Sequence, residues 1–167
     1  MKSIKHVLLA IALSFAALGA QATALVDNGE NRVIDAVLRA QPLGAPVTQY
    51  WGFGTDTCTD SGAGTAPSGG AYARVAVTAS LANWAGTQSA GSTTASTGTG
   101  GTTSNNVVIT WPTSTAPWGN LQSVRMYDAA SAGNQWICIN LTAALNVTAA
   151  GFTPSFPAAS LTFQIDN

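Results

Sequence analysis

The chain has 167 residues, 46% of them hydrophobic and only 8% charged, with a formal net charge of −1. With no basic cluster, it lacks both the counterion-releasing contacts that drive nucleic-acid binding and a polybasic patch for anionic membranes. Its one histidine, His6, and its two lysines, Lys2 and Lys5, all fall within the first six residues, so the rest of the chain offers no imidazole base, histidine-ligated zinc, Schiff-base lysine or P-loop.

Lys2 and Lys5 form a positive start to the uncharged, mostly apolar run from Val7 to Ala20. That run is shorter than the ~20 residues of a spanning helix. Ala20-Gln21-Ala22 and Ala22-Thr23-Ala24 both fit a small-residue cleavage site, so residues 1–24 are expected to be a secretory signal peptide. An uncleaved hydrophobic anchor is the competing reading. If the leader is cut, no stable membrane association is expected of the remainder. From residue 25 onward, four arginines face six aspartates and one glutamate, a formal charge of −3. Such a surface is wetted by hydroxyls or covered by neighbours.

Residues 25–46 read as a helix and linker. Asp27 followed by Glu30 fits a capping box, Val33, Ile34, Val37 and Leu38 make one apolar stripe, and Pro42 and Gly44 stop the helix. The stripe is expected to pack on the body of the same domain, with docking on a partner protein as the competing use. Residues 47–167 read as strands and turns. Candidate strands are Val47–Phe53, Tyr72–Thr78, Val107–Trp111, Leu121–Asp128, Gln135–Leu141, Asn146–Thr148 and Leu161–Ile165. Gly, Ser and Thr fill 16 of the 20 positions from Gly86 to Asn105, so 86–105 is expected to be a long mobile loop. The expected fold is mainly β: an antiparallel β-sandwich or barrel with one short N-terminal α-helix after the signal-peptide-like segment.

Cys58 and Cys138 are the only cysteines, and in an exported chain they are expected to form a disulfide. Asp56 and Asp60 flank Cys58 and could present oxygens to calcium, but their spacing misses the EF-hand pattern and suits ordinary turn formation, so no metal or cofactor is expected. Trp51, Trp84, Trp111, Trp118 and Trp136 read mainly as core, although an exposed line of them would stack on sugar rings. The sequons at Asn140 and Asn146 are read as chance, since both lie in strand-like sequence. Seven acids leave paired-carboxylate hydrolysis formally open. Most of them sit beside turn residues, and no catalytic residue is assigned.

The ordered series Ser68-Gly69-Gly70-Ala71-Tyr72-Ala73-Arg74, Thr103-Ser104-Asn105, Thr110-Trp111-Pro112, Ala116-Pro117-Trp118-Gly119 and Tyr127-Asp128-Ala129-Ala130-Ser131-Ala132-Gly133-Asn134 resembles a family of short bacteriophage virion proteins commonly labelled tail fibre proteins. The resemblance spans roughly residues 28–167. It implies a non-enzymatic structural protein of a phage or prophage particle, in tail, fibre or capsid surface, forming a homo-oligomer or joining other virion proteins. Virion components assemble in the cytoplasm, whereas a leader directs export. That mismatch supports the alternative of an exported periplasmic or extracellular β-domain with an adhesive or glycan-binding role.

Overall fold

Alternation and turn chemistry in this chain produce one large antiparallel sheet with two small ones folded over it. The computed structural model describes residues 20–165, with side chains from Leu25 onward. The expected leader therefore lies largely outside the described residues. The backbone of Ala20–Leu25 forms strand β1, and both expected cleavage sites fall in or beside it. Helix α1 covers Asp27–Arg39, followed by β2 (Thr48–Gly54), β3 (Val75–Thr78), β4 (Thr102–Ser104), β5 (Ile109–Thr110), β6 (Gly119–Tyr127), β7 (Gln135–Val147), β8 (Ser155–Phe156) and β9 (Thr162–Gln164). The main sheet runs β1-β7-β6-β2-β3, all antiparallel, and β4-β9 and β5-β8 form two-stranded sheets. The protein is mainly β with one short helix, and the described strands close no barrel.

The two faces of the main sheet are buried by different chemistry. Val124 pairs with Ile139 and Phe53 with Val124 across the strands, so these side chains share a face. They join Trp51, Met126 and Leu141 in the apolar core. Trp111, just after β5, and Phe156 of β8 close over this face, their ring centroids 4.4 and 6.2 Å from that of Phe53. Asn105, fully buried, holds that cover in place. Its amide donates to the carbonyls of Val107 and Pro157, and its Oδ1 accepts the Leu161 N–H at 2.8 Å.

The opposite face carries Ser123, Arg125 and Cys138, and the loop Thr55–Thr65 covers it. Here β2 supplies Gly52, between the core-facing Trp51 and Phe53, and Gly54 after them. A Cβ at Gly54 would meet the Arg125 guanidinium carbon at 2.8 Å, so the glycine makes room for it. Arg125 is 1% exposed and donates to the Ala63 carbonyl, to the Asp56 carboxylate at 2.8 Å and to Ser123 Oγ at 3.1 Å. Cys58 on the same loop is disulfide-bonded to Cys138, and its N–H donates to Asn140 Oδ1.

Several elements differ from their expected form. The expected strands Gln135–Leu141 and Asn146–Thr148 are one strand, β7, whose pairing with β6 shifts register between Leu121 and Ser123. The bulge lets Leu121 and Val124 both face the core despite their spacing. The Gly/Ser/Thr tract holds no regular structure through Gly101 but is cross-linked by its own side chains. Gly86 N–H donates to Ser92 Oγ, Gly98 N–H to Thr87 Oγ1, and Gln88 Nε2 to Thr94 Oγ1. Its end, Thr102–Ser104, is β4. The capping box does not form: Val26 occupies the N-cap with no side-chain cap, and Asp27 is already helical.

Candidate functional site

Among the motifs that carry the resemblance, segment 68–74 touches segment 116–119 before β6 and the turn after β6, and these contacts do structural work. Gly69, Gly70 and Ala71 all have positive φ, a run of left-handed residues that reverses the chain before β3. At Gly70 a Cβ would lie 2.8 Å from both the Ala116 carbonyl oxygen and Trp118 Nε1, so only glycine fits. Its carbonyl instead accepts from Trp118 Nε1 at 2.8 Å and from the Thr115 N–H. Tyr72 then replaces a strand. Its hydroxyl accepts the Phe53 N–H at 2.7 Å and donates to the Phe53 carbonyl at 3.0 Å, continuing the ladder of β2 where β3 ends. Burial pushes the Tyr72 phenol up to about 12, partly offset by the Phe53 hydrogen bond.

Arg74 reaches the turn after β6. It donates to the carbonyls of Ala129 and Ala132 and lies 3.3 Å over the Tyr127 ring. Inside that turn the Asp128 carboxylate accepts from the Asn134 N–H and side-chain amide. Its burial raises its pKa, but these donors outweigh that and hold it below the usual range.

Helix α1 supplies the most unusual surface. Its inner side is small or polar. A Cβ on Gly29 would meet the Trp136 carbonyl oxygen at 2.8 Å, so glycine permits the close approach to β7, and the Arg32 guanidinium lies 5.0 Å over the Trp136 ring. The apolar stripe faces outward: Val37 is 74% and Leu38 77% exposed, with Ile34 and Val33 also exposed. The expected internal packing of this stripe is thus corrected. Amphipathicity marks one apolar face but does not require the parent domain to cover it. Leu43 and Val47 extend the exposed apolar surface beyond the helix.

Of the other expected site residues, Cys58 and Cys138 are joined. Asp56 pairs with Arg125, a role no local motif announced, although a lone arginine between Val124 and Met126 was a signal available in the sequence. Asp60 lies instead beside Asp27 and Glu30. Trp51, Trp111, Trp118 and Trp136 are buried in the core, and Trp84 is half-buried against Trp51. Asn140 is engaged by Cys58, and Asn146 is exposed on β7. Among the described residues, no helix is long and apolar enough to cross a membrane.

No curated protein matches the sequence. The family described as Podophage GP4 fiber I protein gp80 matches residues 24–164, the same span over which the turn glycines, Tyr72, Arg74 and the buried indoles build the fold. The chain therefore belongs to the podophage GP4 fiber I protein gp80 family, and it is a phage fibre-like protein.

Proposed function

We propose that this protein is a non-enzymatic structural part of a phage fibre that associates through the outward face of α1. The carrying observation is the exposed stripe Ile34, Val37 and Leu38 on a helix whose inner face is already seated on β7. An apolar face left in water is costly, and burying it drives association. The occupant fitting the family is a second copy or another virion protein, and the location is the particle.

Wild-type chain supplied during assembly should appear in purified particles. The double variant Val37→Asp/Leu38→Asp should stay in the unassembled fraction with an unchanged melting temperature. Equal incorporation of both would remove α1 from the interface.

A second reading, glycan binding by an exported domain, is supported by one feature. Gln49, Trp51, Trp84, Thr103, Ile137 and Phe163 line a cleft of about 220 Å³ with the half-buried Trp84 ring at its side. Its volume is below the ~300 Å³ lower end of ordinary ligand sites. Retention on polysaccharide that is lost in Trp84→Ala, together with export and absence from particles, would favour this reading over the first. Export would also cut within or beside β1 and uncover the outer edge of β7.

A further inference from the structure

The outward stripe of α1 stands on a part of the helix that the body of the domain leaves clear. Gly29 is the one buried residue of the helix, and from Asn31 to Arg39 every residue is exposed or half-exposed. The second half of α1 therefore offers Val33, Ile34, Val37 and Leu38 to a partner of helical width.

Two features of this stripe suit it to its own copy. The first is shape. When two α1 helices cross antiparallel about a two-fold axis between Asp35 and Ala36, Ile34 of each copy meets Val37 of the other, and Val33 meets Leu38. Each rung then sets a larger side chain against a valine, so the rungs match in volume and interdigitate. A parallel pair in register would instead set Ile34 on Ile34 and Leu38 on Leu38, beside thinner valine pairs. The second feature is charge. The first turn carries Asp27 and Glu30, with Asp60 of the loop beside them, and the last turn carries Arg39. Parallel helices bring the acidic ends of both copies together, which like charge opposes. Antiparallel helices set the acidic end of one against the Arg39 end of the other, with their macrodipoles opposed. The same axis brings Glu30 opposite Gln41. The exposed Gln41 amide donates one N–H to the Arg39 carbonyl and has a second for the carboxylate.

We propose that α1 docks on α1 of a second copy, as an antiparallel pair around this two-fold axis. The inference rests on the outward face of α1 being an interface, and it names the occupant. Four aliphatic side chains per copy fall well short of a standard stable interface. The pair is therefore weak between free chains and gains strength where other contacts hold copies together. A contact of this kind closes on itself, so α1 joins copies in twos and does not by itself propagate a filament.

The test is cysteine cross-linking of the full chain, whose two native cysteines are bonded to each other and leave no thiol free. Glu30→Cys and Gln41→Cys chains, both of which keep the aliphatic stripe, are mixed at high concentration, oxidised and mapped without reductant. Unchanged melting temperatures show that each variant folds. The antiparallel pair predicts a disulfide between a Glu30→Cys chain and a Gln41→Cys chain. It predicts little linkage within either variant alone, because the two copies of position 30 lie about 16 Å apart along the helices, beyond disulfide reach. Adding Val37→Asp/Leu38→Asp to both chains should abolish the mixed product. Same-site products in excess of the mixed one, or a mixed product that survives Val37→Asp/Leu38→Asp, would overturn the proposal. So would absence of any cross-link. If Val37→Asp/Leu38→Asp still blocks entry into particles in that case, the outward face remains an interface and its occupant is another virion protein. Equal incorporation of that variant and wild type removes the underlying reading as well.

Discussion

Two side chains do work usually given to backbone. The Tyr72 hydroxyl closes the hydrogen bonds of Phe53 that β3 is too short to reach, and Arg125 satisfies the carbonyls of the Thr55–Thr65 loop. The phenol has a pKa near 10 unfolded and about 12 folded. A raised acid pKa means that its stabilising contribution is complete below pH 10 and is lost as pH rises through 12. The loss over that window is of order 2–3 kcal/mol. Tyr72→Phe should cost about 1–2 kcal/mol at neutral pH and flatten the alkaline decline, as measured by urea unfolding at several pH values. An equally steep decline in the variant would assign it to other groups. Asp56→Ala leaves the Arg125 charge buried without its carboxylate and should cost about 3 kcal/mol, read as a shift in the urea midpoint. The turn glycines before Tyr72 were legible in the sequence because positive φ has few residue choices. The partners of Tyr72 and Arg125 were not, since they lie 19 and some sixty or more residues away along the chain.

Among the elements, the helix was legible and its orientation was not. Periodicity marks the stripe Val33, Ile34, Val37 and Leu38, but the side that docks is chosen by Gly29 and Arg32 against Trp136, contacts that exist only once β7 is in place. The long strand β7 read as two because Thr142-Ala143-Ala144 breaks the apolar alternation, while its pairing with β6 is resumed across a bulge. Strand β5 lies inside the expected strand Val107–Trp111, whereas β8, of two residues, is too short for any periodicity, and its Phe156 is set by packing against Trp111. The disulfide joins positions 80 residues apart. By the chain-entropy model it contributes about 4–5 kcal/mol at most, so reduction should lower the urea midpoint substantially, and peptide mapping without reductant should recover Cys58 linked to Cys138. Alkylation of both thiols without reductant would contradict this. Because Val37 is exposed, Val37→Asp should change monomer stability by less than about 0.5 kcal/mol, whereas a large loss would show that the helix packs inward.

At the scale of the whole molecule, the chain belongs to the fibre family and has an uncovered apolar helix face, and the proposed assembly role rests on these two findings. Low charge outside the first residues fits a surface wetted by hydroxyls as well as one covered by neighbours, whereas the mainly β architecture followed from short strands punctuated by Gly, Pro and Asn. Which apolar surface stays exposed was not legible, because exposure emerges only when the sheet has claimed its own core. Sedimentation velocity of the purified full chain over a range of concentrations, beside Val37→Asp/Leu38→Asp, tests the central claim most directly. The account predicts an oligomeric wild type and a folded monomeric variant with the same melting temperature. A wild type that remains monomeric at the highest concentration and joins no virion protein, or a variant that associates as well as wild type, would contradict it.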